Sequence, residues 1–192
     1  MGTKLIGLIG RKRVGKDTVA ARLVEAHGFT RYAFADNVRA AALALDPIVG
    51  ESEDYDADVG MWTYPGLRLS ELVEVDGWEL AKAHPEVRRV LQHFGSEVIR
   101  KLDEEFWVRP VVAAIEQSGT PAVVTDVRFP NEAAAIERLG GRLVRVTRPG
   151  LDESDNHVSE TALLGYPVWS AIINSSTVDV LHKDVDKLSE LL

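Results

Sequence analysis

The chain has 192 residues, enough for one domain with a buried core and short for two, and its 45% hydrophobic and 27% charged residues are those of a soluble globular protein. A formal net charge of −8 excludes the global basic footprint of a nucleic-acid-binding protein, and the lack of cysteine excludes disulfides and thiolate metal sites and fits a reducing cytosol. Apolar runs stay short of a membrane span, and the first strand-like stretch is followed at once by "RKR", so neither a transmembrane helix nor a signal peptide is expected.

"KLIGLI" is a short, nearly continuous apolar run, as in a strand buried on both faces of a parallel sheet. "GKDTVAARLVEAHG" follows as a helix with Val19, Leu23 and Ala26 on one stripe and Gly28 as its stop. "FTRYAFA" predicts a second strand, and "DNVRAAALAL" a helix with Asp36 at its start and Asp46-Pro47 at its end. Residues from about 47 to 84 look like an insertion, and their acidic run "ESEDYDAD" reads as a solvated loop because it lacks calcium-loop spacing.

Two helices are predicted next, "PEVRRVLQHFGSEVIRKL" opened by Pro85 and "DEEFWVRPVVAAIEQSG" with Pro110 near a first turn or a kink. "PAVVTD" is then a strand, "NEAAAIERLGG" a helix and "RLVRVTR" another strand. The loop "PGLDESDNH", a short helix "VSETALLG", a last strand "WSAIINSS" and an amphipathic helix "VDVLHKDVDKLSELL" complete the chain. Alternating strands and helices in a chain of this size imply one α/β domain over residues 1–192, a parallel sheet with helices on both faces.

Gly10-Arg11-Lys12-Arg13-Val14-Gly15-Lys16 has the spacing G-x-x-x-x-G-K between a buried strand and a helix, which is the context a phosphate-binding loop requires. Glycines let successive N–H groups turn inward around phosphate oxygens, the following helix adds its positive N-terminus, and Lys16 sets a charge against the phosphates. Asp17 stands where Ser or Thr is usual. The Thr18 hydroxyl is one residue later, and Asp17 can hold magnesium, directly or through water, among the cations Arg11, Lys12 and Arg13. The expectation is a site for ATP with Mg2+.

Small size, several scattered arginines and the absence of an N-K-x-D guanine signature favour a kinase of a small phosphorylated acceptor. Such an acceptor sets a second anion beside a triphosphate and needs its own cationic clamp. Arg89, Gln92 and Arg100 are candidates, the alternative being surface arginines paired with neighbouring acids. Asp126 ends a buried strand, where such enzymes keep the acid that orients magnesium, and Arg128 follows on the same face if the chain stays extended. Asp126 could instead cap the next helix, but Asn131 is itself a good cap, which favours the catalytic reading. Arg148, the loop after it and Ser159-Glu160 form a candidate lid over approximately 149–160, with His157 a loop contact, and Asn174 either touches the base or makes a turn.

In "GLIGRKRVGKDTVA", "FADNVRAAA", "RRVLQHFGSEVIR" with the nearby "FW", "VVTDVRFPNEAAAI", "RVTRPG", "HVSE" and "IINSSTVDVL" the chain resembles the bacteriophage deoxynucleoside monophosphate kinases of the nucleoside monophosphate kinase-like phosphate-loop family. The resemblance implies a three-layer α/β/α P-loop NTPase fold with a five-stranded parallel sheet, a helical substrate-binding insertion at approximately 47–110 and a short lid. It implies ATP- and magnesium-dependent phosphorylation of a deoxynucleoside 5′-monophosphate to the diphosphate and a homodimer, while the acidic charge, the short apolar runs and the lack of cysteine lead to the expectation of no stable nucleic-acid or membrane partner and a cytoplasmic location, the host's if phage-encoded. Carried over by position, Gly10, Arg11, Lys12, Val14, Gly15, Lys16, Asp17 and Thr18 hold ATP, with Arg148, Ser159, Glu160 and Asn174. Asp36, Arg39, Arg89, Gln92, Arg100 and Trp107 would contact the acceptor, with Trp62, Tyr64 and Arg68 as base contacts. Lys16, Asp126 and Arg128 would be catalytic, and Asp17, Thr18 and Asp126 would hold the metal.

Animal-type phosphomevalonate kinases share a similar loop, so a kinase of that or another small metabolite, such as dephospho-coenzyme A, is an alternative. A non-catalytic nucleotide-binding regulator is a third reading, opposed by the presence of Asp126, Arg128 and the clamp arginines.

Overall fold

The computed structural model describes residues 4–56, 60–63, 65–151 and 158–192, with residues 54–56 and 61–63 described in their backbone. Two compact units are present, Met1–Ala35 with Trp107–Leu192, and Asp36–Phe106.

The first unit is built on strand β1 (Leu5–Ile9), whose five residues are all buried. It carries β2 (Thr30–Tyr32), with β7 (Ala122–Val124), β8 (Arg142–Thr147) and β9 (Ser170–Ile173) following the strands of the other unit in chain order. The five form one sheet in the order β2-β7-β1-β8-β9, every pair parallel. Strand alternation sorts the core into two layers. Leu5, Ile9, Ala122, Val124 and Leu143 face one way, toward helices α6 (Val108–Ser118) and α7 (Pro130–Arg138). Ile6, Leu8, Val123, Val144 and Val146 face the other, toward α1 (Lys16–His27) and α9 (Val178–Glu190). This is the three-layer α/β/α arrangement. The chain leaves β1 toward one edge of the sheet, at β2, and leaves the neighbouring β8 toward the other, at β9, and the crevice at the carboxyl ends of strands whose connections diverge in this way is where open α/β sheets bind ligands.

The second unit holds most of helix α2 (Phe34–Leu45), two small antiparallel pairs, and helices α3 (Leu69–Ala81), α4 (Pro85–Gln92) and α5 (Arg100–Leu102). The pairs join β3 (Ile48–Gly50) to β6 (Leu67–Arg68) and β4 (Asp54–Asp56) to β5 (Met61–Thr63). Ala42, Val49, Leu69 and Val87 make its small core.

Several boundaries differ from the sequence expectation for identifiable reasons. The second strand stops at Tyr32 and α2 starts at Phe34 rather than at Asp36, because the Asp126 carboxylate accepts the Phe34 and Ala35 N–H groups at 2.9 and 2.8 Å. The single helix expected over 85–102 is α4, a π-helical stretch His93–Ile99 and α5, and Asp103 is extended and ends it. Pro110 then falls in the first turn of α6, where its missing N–H costs nothing. The helix expected from Asn131 is opened by Pro130, and Glu132, not Asn131, reaches back with its Oε2 to the N–H groups of Arg128 and Phe129 at 2.7 and 3.1 Å.

Helices α1 and α9 are clipped together by one ionic cluster. Arg22 donates two bonds of 2.8 Å to Asp186, and His27 Nε2 lies 2.8 Å from Asp186 Oδ1. The Arg22 guanidinium, and then the His27 ring, hold the Asp186 carboxyl well below the usual carboxylate range. A carboxyl depressed in the folded state contributes stability above its unfolded value of about 4, and that contribution is lost as pH falls through the folded value. Asp186→Asn is therefore expected to lower stability at neutral pH and to flatten its decline below about pH 4, read by urea denaturation across that range.

Candidate functional site

The turn between β1 and α1 takes conformations that glycine alone adopts without strain. Gly10 has φ +148°, and a Cβ there would lie 2.3 Å from the Val146 carbonyl oxygen on the neighbouring β8. Gly15 has φ +104°, and a Cβ there would lie 2.6 Å from Asn174 Nδ2. Between them Arg13 is left-handed, with φ 63°. The Asn174 side chain donates to the Val14 carbonyl at 3.0 Å, so the residue after β9 pins the middle of the turn. Val14 is buried in the layer beneath.

Lys16 opens α1 and is 8% exposed. Its Nζ donates to the carbonyls of Gly10 and Arg11 at 2.6 and 2.7 Å, folding the side chain back over the turn. Burial first, and then the nearby Arg128 guanidinium, lower its pKa to about 8, against the opposing pull of Glu160, Asp17 and Asp126. An ammonium so poised gains most from an incoming anion.

The remaining groups come from the carboxyl ends of the other core strands. One cleft is lined by Gly10, Arg11, Lys12, Val14, Arg128, Arg148, Ser159 and Glu160. Another is lined by Gly15, Lys16, Asp17, Thr18, Arg148 and Asn174, so that Arg148 borders both. Arg128 leaves β7 with its backbone fixed by the buried Glu132, and its guanidinium donates to Glu160 Oε1 and, at 3.3 Å, to the Ser159 carbonyl. Glu160 Oε2 accepts the Lys12 N–H at 2.7 Å. Asp126 lines neither cleft. Its carboxylate caps a helix, as the alternative reading allowed, but that helix is α2 rather than the next in sequence.

Candidate residues of the second unit are arranged differently. Asp36 and Arg39 pair at 3.0 Å on α2. Arg89 makes two bonds, of 2.8 and 2.6 Å, to Glu86 on the exposed face of α4, which is the surface pairing weighed as its alternative. Arg68 donates to the Asp46 carbonyl at 2.9 Å, and Gln92 and Arg100 are half-buried at the two ends of the π stretch. Trp62 lies on β5. Tyr64 and residues 152–157 of the expected lid, His157 included, lie outside the described residues. Trp107, in the first unit, is 3% exposed and packs in the core.

Sequence reasoning missed Arg145. It sits on β8, borders the first cleft, and donates to the carbonyls of Leu163 and Tyr166 at 3.0 and 2.7 Å, holding the segment after the short helix α8 (Val158–Thr161). An arginine inside the apolar strand "RLVRV" was the available signal.

The oxygen donors present suit a magnesium ion that arrives with phosphates. Asp17 and Thr18 border the cleft of Lys16, and Mg2+ in such sites needs one or two carboxylates, the rest of its shell coming from phosphates and water. Among the described residues no group of three or more His, Asp or Glu side chains forms a self-sufficient metal site. Among them, too, no helix is long and apolar enough to cross a membrane.

A family model described as deoxynucleotide monophosphate kinase matches residues 76–185. A protein of Acanthamoeba polyphaga mimivirus, provisionally named a deoxynucleotide monophosphate kinase, is 27% identical over 94% of this chain and 93% of its own. The deoxynucleotide monophosphate kinase of Escherichia phage RB69 is 26% identical over 53% of this chain and 44% of its own. Among solved structures, shikimate kinase from Aquifex aeolicus aligns over 97% of this chain and 96% of its own, at 14% identity and a TM-score of 0.44, too distant to inform the activity.

Because the Lys16 ammonium is half-titrated near pH 8, affinity for a polyphosphate anion is expected to fall as pH rises through that value, and Lys16→Arg to flatten the dependence. Calorimetric titration with pyrophosphate between pH 6.5 and 9.5 reads both slopes.

Proposed function

The chain belongs to the deoxynucleotide monophosphate kinase family, and we propose that it transfers the γ-phosphoryl group of ATP to a deoxynucleoside 5′-monophosphate through the site built around Lys16 and Arg128. The observation that carries this reading is the convergence of a glycine-shaped turn, a buried ammonium and a second, independently anchored guanidinium at the carboxyl ends of β1 and β7. Phosphoryl transfer demands little covalent chemistry of a protein, so positioning and charge stabilisation account for most of the catalysis.

In this reading the amides of the turn and of the first turn of α1 face the phosphates, and Lys16 exchanges the carbonyls of Gly10 and Arg11 for phosphate oxygens. Arg128 stabilises charge on the transferring group, its backbone held by Glu132 so that little reorganisation accompanies the reaction. Arg148, bordering both clefts, adds a further cation. Asp17 and Thr18, which border the cleft of Lys16, would hold a magnesium ion carried with the nucleotide, and that ion would supply neutralisation of phosphate charge. Asp126 acts through α2, whose first amides it fixes, and through its field on Lys16. The acceptor phosphate is already anionic and needs no strong base. What it needs is a cationic clamp, for which Arg39 and Arg100 are candidates, with Gln92 as a further polar contact.

The family resemblance implies a homodimer, which sedimentation tests.

ADP release measured across deoxynucleoside and nucleoside monophosphates, phosphomevalonate and dephospho-coenzyme A is expected to give turnover with one or more deoxynucleoside monophosphates. Turnover with phosphomevalonate alone would reassign the acceptor. Lys16→Ala and Arg128→Ala should each lower kcat/KM by about 10³-fold, with Arg128→Ala acting mainly on kcat, while circular dichroism stays that of the parent.

A further inference from the structure

Glu160 stands out among the cleft residues because it is an acid where an anion is to be bound. Its side chain is only 7% exposed, and both carboxylate oxygens are engaged with groups a phosphate would use. Oε2 accepts the N–H of Lys12, 148 residues away in the chain and inside the phosphate turn, at 2.7 Å. Oε1 accepts from Arg128, and the neighbouring Ser159 carbonyl accepts from the same guanidinium nitrogen at 3.3 Å. The carboxylate also pulls against the effects that lower the Lys16 pKa.

One N–H cannot serve two anions, and a carboxylate and an unneutralised phosphate repel one another strongly at contact distance in a partly desolvated cleft. A nucleotide whose phosphates take the Lys12 amide and Arg128 must therefore expel Glu160. We infer that Glu160 is a positioning and specificity-determining residue: a resident carboxylate that occupies the anion place between the phosphate turn and Arg128 and sets a threshold any incoming anion has to exceed. This rests on the reading of the turn as the ATP site.

The threshold has a use in an enzyme whose two substrates both carry phosphate. The displacement cost is the same for every anion that takes those two donors. A monophosphate, with few contacts elsewhere in the site, is thereby pushed out of its useful concentration range. A triphosphate, with many further contacts along the turn and Lys16, still binds. The acceptor is thus kept out of the donor site without any group that reads its base. Until a triphosphate arrives, the same carboxylate holds Arg128 in place and shields it from Lys16.

Glu160→Gln keeps the shape and removes the charge. Expected for this variant are an ATP Kd by calorimetry lower by about tenfold, the change for losing one charge-assisted hydrogen bond in the competitor, and a KM for ATP that falls with it. Inorganic phosphate is expected to compete with ATP at correspondingly lower concentration in the variant than in the parent. Unchanged or weaker ATP and phosphate binding in both folded Glu160→Gln and Glu160→Ala would overturn the inference, and so would loss of the fold in both, which would make the carboxylate a structural strut. Lys16→Ala separates the two readings: ATP binding that Lys16→Ala abolishes while the Glu160 variants leave it unimproved would sink the threshold and leave the ATP site standing. Absence of ATP binding in the parent would overturn both.

Discussion

The structure depends on one steric fact at the end of its central strand. Gly10 approaches the Val146 carbonyl so closely that a Cβ would be 2.3 Å from it, well inside van der Waals contact. The turn that follows β1 is therefore set directly against β8 and inherits the rigidity of the parallel pairing Ile6 to Arg142 through Ile9 to Arg145. Everything else at this end of the sheet maintains that position. Val14 is buried below the turn, Asn174 holds the Val14 carbonyl from the strand beyond, and Lys16 covers the carbonyls of Gly10 and Arg11. A loop whose amides are to face an anion has no sheet or helix partners of its own, so its shape has to come from such neighbours.

The acids of the region follow a single logic. Asp126 takes two amides at the start of α2, Glu132 takes the amides of Arg128 and Phe129, and Glu160 takes that of Lys12. Each carboxylate fixes backbone near a cation or near the turn. Charge-assisted bonds to amides are stronger than neutral ones and, once buried, costly to leave unmade. The sheet end is thus ordered by acids bonded to backbone, while the positive side chains face the clefts.

What the sequence disclosed and what it concealed divide along sequence distance. The phosphate turn was legible because its residues are contiguous and flanked by a buried strand and a helix, and the alternation of elements was enough to imply the parallel sheet. Asp126 and Arg128 both follow a buried strand, as expected, but Arg128 alone of the two lines a described cleft, and what Asp126 binds was not legible, since its partners lie 92 and 91 residues away. The same distance hid the bond from Lys12 to Glu160 and the hold of Arg145 on Leu163 and Tyr166. Helix α2 began two residues early for this reason: its cap comes from a distant side chain rather than from Asp36, and no local pattern carries that information. The insertion was hard to read because strands of two or three residues lack the length over which a period of two becomes visible.

The second unit has its own steric constraint. In the π stretch Gly95 is buried against α2, and a Cβ there would meet Val38 Cγ1 at 2.9 Å and Cγ2 at 3.5 Å. A π-helical turn accommodates an extra residue without ending the helix, and here it lets α4 and α5 remain on one continuous path from Pro85 to Leu102. Val38 lies between Asp36 and Arg39, which are paired at 3.0 Å on the same helix. Any side chain at position 95 would require the Val38 side chain or the π stretch bounded by Gln92 and Arg100 to shift. The close approach of α2 and the π stretch at this point therefore favours glycine at 95. Arg89, by contrast, projects to solvent six residues before that contact and is paired with Glu86, an exposed pair of the kind that contributes little. The geometry thus distinguishes two arginines that the sequence presented as equals: Arg100 is half-buried where the π stretch meets α5, and Arg89 stands on the exposed face of α4.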